Sequence, residues 1–327
     1  MQTILSGIQA TGLPHLGNYF GAIRPHVALQ DEVGTKLYFI ADFHALTTCR
    51  DPEALRASVR EIAATYLALG LDPERAALFR QTDVPEVTEI AWLLSCVTGM
   101  GLLERAHSYK DKVAKGQKPN VGLFFYPVLM AADILAYDAT LVPVGRDQAQ
   151  HLEMTQDMAA SFNHLFGEVF QRPEARMPGE ELFAKVPGVD GEKMSKSYGN
   201  DIWIFAEGKA LKKAVNRIVT DSREPSESKD PDSVLLMSFL GLFLEREELD
   251  TWRERLRAGG ADAPGYGHLK ARLIEAMDAE FAPARERRRQ LLDDPAELDR
   301  ALLRGAETAR ARAQATVDRA RRATGLR

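Results

Sequence analysis

Short β-type runs alternate with stretches of helical spacing through the first two hundred or so residues, and beyond Ile204 the β-type runs stop. That order leaves few folds open. "TILSGI" (3–8), "KLYFIAD" (36–42), "AALFRQ" (76–81) and "ATLVPVG" (139–145) read as four strands. Between them lie an amphipathic stretch over 15–30, a helix capped by Asp51 with Pro52 in its first turn and running to about Leu69, helices over 87–97 and 121–137, and another from near Asp147. Strands separated by helices of such length cannot close as hairpins, so the expected class is α/β, a doubly wound parallel (Rossmann-like) sheet. After Ile204, residues 210–219, 233–243, 245–257, 267–289 and 294–322 carry only helical patterns, predicting an α-helical C-terminal domain. A boundary at 205/206 is therefore expected, with domains over 1–205 and 206–327 and the final helix packing back on the first of them. "SREPSESKDP" (222–231), polar and broken by proline, reads as a mobile connector.

With 327 residues and 45% hydrophobic content the chain can bury a large core. Its amino terminus lacks the basic start and apolar run of a secretory signal, and no segment is apolar long enough to span a bilayer; a cytoplasmic location and no membrane role are expected. Cys49 and Cys96 are too few and too far apart for a disulfide framework or a cysteine zinc site, so no structural metal is expected. A net charge of −5 argues against indiscriminate nucleic-acid binding, yet it permits a local basic face.

In such a sheet, ligands sit at the carboxyl ends of the strands, so the residues after each strand carry the chemistry. After the first comes "IQATGLPHLGNYFGA": Gly12 and Gly17 allow close backbone approach, a helix opening near Leu16 aims amides at an anion, and His15 adds a donor. Taken alone, this is equally a plain loop-to-helix junction with a surface histidine. After the fourth strand, "VPVGRDQAQH" offers Gly145 and the acceptor oxygens of Asp147, which suit ribose hydroxyls but also suit a helix N-cap. Together the two junctions outline a nucleotide pocket. "EKMSKSYGN" (192–200) then gains a role: Lys193 and Lys196, with the hydroxyls of Ser195 and Ser197, can fold over phosphates and stabilise charge on departing pyrophosphate. The alternative is a charged surface turn.

"HLGN" (15–18) resembles a variant of the H-I-G-H signature of class I aminoacyl-tRNA synthetases, and "KMSKS" (193–197) is similar, without substitution, to that class's second signature. The resemblance covers essentially the whole chain. It implies activation of an amino acid by ATP, with Mg2+, to an aminoacyl-adenylate and transfer to tRNA. Within the class, "LMAAD", "SGIQATG", "GNYFGAIR" and "VPVGRDQ" resemble the tryptophanyl branch, whereas the tyrosyl branch has Tyr-x-x-x-Gln-x-x-Asp on the corresponding helix.

Tyr126, Met130 and Asp133 share one helical face, and an aspartate flanked by apolar residues needs a donor when buried. Methionine at 130 favours a large aromatic surface. The resemblance implies that Asp133 accepts the indole N–H of L-tryptophan, with His44, Tyr126, Met130 and Gln148 completing that pocket. It assigns Gln9, Ala10, Thr11, Gly17 and Asn18 to ATP, Gly145, Arg146 and Asp147 to ribose and base, and Val186 to adenine. His15, Lys193, Lys196 and Lys112 serve the phosphates, with Met194, Ser195 and Ser197 in the same loop. Arg146 and Phe43 depart from the commoner glutamate and glutamine and bear on affinity. A homodimer, and tRNA(Trp) read by the helical domain, complete what the resemblance implies. The arginine-rich tail reads as solvated helix faces. Two other readings are a tyrosyl relative, which Met130 disfavours, and a paralogue that binds tRNA or protein without charging, which intact "KMSKS", Asp133 and Asp147 disfavour.

Overall fold

The computed structural model describes residues 2–106, 109–110, 120–143, 149–176 and 186–326. In chain order the principal elements are β1 (Thr3–Gln9), β2 (Thr35–Ala41), α1 (Pro52–Ala68), β3 (Ala77–Arg80), α2 (Glu86–Ser95), α3 (Val121–Leu135), β4 (Leu141–Pro143), α4 (Ala149–Phe166) and β5 (Glu174–Arg176). Then follow α5 (Gly208–Asn216), α6 (Leu235–Leu240), α7 (Arg246–Ala258), α8 (Tyr266–Asp293) and α9 (Pro295–Thr324). Asp51 caps α1 by accepting from the amides of Glu53 and Ala54.

All five strands are parallel, in the order β3-β2-β1-β4-β5. The order reverses between β1 and β4, so the topological switch point lies where the chain leaves these two strands. The strand β5 has no counterpart among the sequence expectations. "EAR" is short and charged at a sheet edge, which blunts edge pairing and erases the apolar signal. The stretch over 15–30 is also not one helix: a turn at Leu16–Asn18 passes into a π-type turn, Tyr19–Ile23, before Arg24–Leu29 continues. Pro25, which lacks an amide proton, falls just beyond the widened turn.

The backbone groups into two compact units that interleave along the chain: one comprises residues 1–12, 26–179 and 291–327, the other 13–25 and 180–290. In the first unit α9 lies against β3. Its buried stripe of Ala306, Ala309, Ala313, Val317 and Ala320 joins the sheet's main core. Several of its arginines, on a face that stays partly solvated, also pair with acids of the same unit: Arg304 with Glu74 and Arg310 with Glu86, both at 2.9 Å, while Arg319 reaches Asp138 and Arg321 meets Glu89.

In the second unit, residues 13–25 are held by an aromatic cluster in which Tyr19 meets Phe281 edge-on at 5.0 Å and Phe20 meets Phe243 at 5.4 Å. The 222–231 stretch, expected as a mobile connector, is built instead around buried Lys229. Its Nζ donates to the carbonyls of Glu224, Pro225 and Glu227 at 2.6, 3.0 and 2.9 Å. A polar sequence conceals this because the carbonyls that satisfy the charge are its own backbone.

Candidate functional site

In the second unit the two signature segments touch. His15 precedes the Leu16–Asn18 turn in an extended conformation; its Nδ1 accepts the Asn18 amide at 3.2 Å while the Asn18 side chain accepts the His15 amide at 3.1 Å. This reciprocal cap fixes the ring. A Cβ on Gly17 would lie 2.9 Å from that ring, so glycine is required by the cap itself. The Gly17 amide faces the sulfur of Met194 at 3.4 Å, and Met194 is buried. Backbone bonds from Leu16 to Ile202 and from Ile204 to Pro14 bind the "HLGN" segment to the chain that follows "KMSKS".

The loop that carries Lys193 and Lys196 is organised by a buried amide. Asn200 accepts the Ser195 amide at 2.8 Å and donates to Asp190 at 2.9 and 3.1 Å and to the Lys193 carbonyl at 3.2 Å. Ser195 and Ser197 join through their hydroxyls at 2.8 Å, and Gly199 closes the turn with φ 62°. Lys193 is exposed and Lys196 half-buried; burial lowers the Lys196 ammonium from its ordinary range, and Asp201 opposes that. Val186, buried, receives the Met194 amide at its carbonyl.

His15 is pushed down to about 4, first by burial and then by the charge on Lys196, with Asp201 opposing. At neutral pH the ring is uncharged, and because Nδ1 accepts from Asn18 the proton sits on Nε2, available to an anion. A depressed histidine pKa favours the fold above the ordinary value of 6.5, and this contribution is lost as pH falls through about 4. We therefore expect the His15 ring resonances to titrate near pH 4 in a proton NMR series; a midpoint near 6.5 would show the ring to be solvated.

In the first unit His44, just after β2, and Gln81, just after β3, meet one face of α3. Gln9 ends β1, its carbonyl accepts the Thr11 amide at 2.9 Å, Ala10 is buried, and the Gly12 amide donates to Ser58 at 3.0 Å. Asp133 is 1% exposed. His44 Nε2 lies 2.8 Å from its Oδ2, and Gln81 Nε2 donates to Oδ1 and Oδ2 at 2.7 and 2.9 Å. Burial raises the Asp133 carboxyl above the usual range, while hydrogen bonds from His44 and Gln81 pull it back. Tyr126 is in close hydrogen-bond contact with His151 and edge-on to His44 at 6.4 Å, and Met130 packs against the core. Behind Gln81, Asp42 accepts the amides of Phe43 and Thr82 and the Thr82 hydroxyl, joining the ends of β2 and β3.

The structure thus gathers Asp133, His44, Tyr126 and Met130, and separately His15, Gly17, Asn18, Met194 and the KMSKS lysines. Lys112, Gly145, Arg146, Asp147 and Gln148 lie outside the described residues. Sequence reasoning missed Gln81, Asp42, His151, Asp190 and Asn200. For Gln81 a signal existed, since it stands at the carboxyl end of a strand, where ligands gather. Among the described residues no group of three or more histidine, cysteine, aspartate or glutamate side chains is placed to hold a metal, and no helix is long and apolar enough to cross a membrane.

Residues 1–281 match the family model described as tRNA synthetases class I (W and Y). A tryptophan–tRNA ligase of Rhodopirellula baltica is 52% identical over 324 residues, covering 99% of both chains. One from Pseudomonas putida is 49% identical over 336 residues, covering 99% of this chain and 74% of its own. Among solved structures, tryptophanyl-tRNA synthetase from Campylobacter jejuni complexed with ADP and tryptophan superposes with a TM-score of 0.92 at 45% identity, covering 99% of this chain and 100% of that one.

Proposed function

The chain belongs to the class I tRNA synthetases of the tryptophan and tyrosine type, and on that premise we propose that it joins L-tryptophan to tRNA(Trp), using ATP and releasing AMP and diphosphate through a tryptophanyl-adenylate. The observation that carries the choice of amino acid is Met130, one turn before the buried Asp133 on the face of α3 that meets His44, because the tyrosyl pattern shares the aspartate and has glutamine at the position of Met130. Asp133 accepts the indole N–H; Met130, Tyr126 and His44 bound the ring, and Gln148 belongs to the same pocket. In activation the tryptophan carboxylate attacks the α-phosphorus and pyrophosphate departs with the electron pair of the broken P–O bond. New charge appears on that leaving group alone, so the Nε2–H of His15 and the ammonium groups of Lys193 and Lys196 act there. Lys112 joins them. Gln9, Ala10, Thr11, Gly17, Asn18, Gly145, Arg146, Asp147, Val186, Met194, Ser195 and Ser197 contact the rest of ATP.

Mg2+ enters as part of the substrate. Histidine and lysine are donors rather than oxygen ligands, so the ion is held by phosphate oxygens and water. Helices α5 to α8 read the anticodon; α9 is excluded because its buried face and several arginines are committed to the first unit. Homodimerisation uses the surface around α2 and the start of α3, where Trp92, Met100 and Val121 are 68%, 63% and 81% exposed. The cytoplasm is the site of action.

The test is amino-acid-dependent exchange of pyrophosphate into ATP: tryptophan supports it and tyrosine does not. Charging of tRNA, followed on the same preparation, is expected to weaken by an order of magnitude or more between about 50 and 200 mM salt as phosphate contacts release counterions, with tryptophan activation changing little. Exchange without transfer at any salt would indicate the non-charging paralogue.

A further inference from the structure

Gln81 follows β3 directly and is 0% exposed. Its Oε1 accepts the Phe43 amide at 3.1 Å, which dictates the orientation of the side-chain amide: Nε2 must face α3, where it engages both oxygens of Asp133 at 2.7 and 2.9 Å. With His44 on Oδ2 at 2.8 Å, these contacts occupy three of the roughly four lone-pair positions of a carboxylate. Among the described residues, the remaining position is on Oδ1.

We infer that Gln81 is a positioning residue that sets amino-acid selectivity: by gripping both oxygens of Asp133 from a backbone-anchored amide, it leaves one acceptor position, held in a fixed direction for a ring N–H. The inference rests on the reading of Asp133 as the indole acceptor. The physical ground is the geometry of a carboxylate. Rotation about its terminal torsion is soft, and an unanchored carboxylate would offer its oxygens over a broad range of directions. In a buried site an acceptor that can turn toward any donor discriminates poorly, whereas a fixed one penalises a ligand that brings no N–H. Anchoring through Phe43 N–H also ties the acceptor to the end of β2, on which His44 follows. Burial favours the protonated carboxyl, which would donate rather than accept; the Gln81 bonds oppose that, among charged and titratable neighbours that include His44, Asp42 and Tyr137.

The experiment compares two amino acids of nearly equal shape, tryptophan and 3-(3-benzothienyl)alanine, in which sulfur replaces the N–H. KM and kcat for pyrophosphate exchange are measured with both for the full chain, for Gln81→Met, which keeps the volume, and for Gln81→Asn, which keeps the amide but shortens its reach. The unsubstituted protein is expected to prefer tryptophan by roughly 10²-fold or more in kcat/KM. Gln81→Met should reduce that preference at least tenfold, through a higher KM for tryptophan, while benzothienylalanine stays within about threefold. Gln81→Asn should fall in between, and it supplies the ratio if Gln81→Met does not fold. Equal losses for both amino acids, or an unchanged preference, overturn the inference and leave Gln81 as ordinary packing. Asp133→Asn separates the two levels of the argument. If it keeps the full tryptophan preference, Asp133 is not the indole acceptor and the reading itself fails. If it loses the preference while the Gln81 variants keep it, only the inference fails.

Discussion

Replacing Lys196 by alanine is expected to lower kcat for tryptophanyl-adenylate formation by about 10²–10³, the loss seen when one preorganised donor to a developing anion is removed. The expectation rests on where this lysine lies. It is half-buried, with its ammonium disfavoured by burial, and its charge adds to the larger effect of burial in lowering the pKa of His15. A cation held in such surroundings gains most when an anion arrives, because little water has to be reorganised. The loop keeps its shape without the lysine side chain, since Asn200 and Asp190 organise it through backbone and amide bonds. Lys193 is exposed, so Lys193→Ala should cost less than Lys196→Ala. Single-turnover adenylate formation, with tryptophan affinity measured in the absence of ATP, separates the step. A Lys196 variant that mainly loses tryptophan affinity would falsify the assignment of this lysine to the leaving group.

Gly305→Ala is expected to destabilise the first unit by about 3 kcal/mol or more. A Cβ built on Gly305 would stand 2.1 Å from the carbonyl oxygen of Leu78 and 2.6 Å from its carbonyl carbon. Both are backbone atoms of β3, held by pairing to β2, so neither can swing aside as a side-chain tip would. The helix must lift from the sheet, and the alanine stripe that follows would lose contact with it. Alanine's better helix propensity returns only about 1 kcal/mol. Thermal unfolding should begin several degrees lower, in keeping with about 2–4 °C per kcal/mol for a unit of this size. An unchanged transition would mean that α9 does not approach β3 so closely.

Local signals made much of this protein legible before any coordinates. The four longer runs of β-type sequence became β1 to β4 because alternating helices leave a parallel sheet as the only way to bury them. Asp51 and Pro52 marked the start of α1, since a cap acts within three residues of itself. The "HLGN" and "KMSKS" segments stood out for the same reason, as did the shared face of Tyr126, Met130 and Asp133, which helical spacing alone guarantees.

What only the tertiary structure decided lies at long separation along the chain. Gln81 meets Asp133 across 52 positions and the Gly17 amide meets Met194 across 177. No period links such pairs. The sequence specified a helix over 294–322 and its arginines, but its place on β3 depended on a glycine meeting a strand backbone and on acids far upstream. Likewise Lys229 and Asn200 read as ordinary loop residues, because their value as buried donors exists only once backbone carbonyls and Asp190 converge on them. Propensities, caps and motifs are written in neighbouring residues; burial and the pairing of buried polar groups are properties of the folded chain, and these decided which donors Asp133 faces.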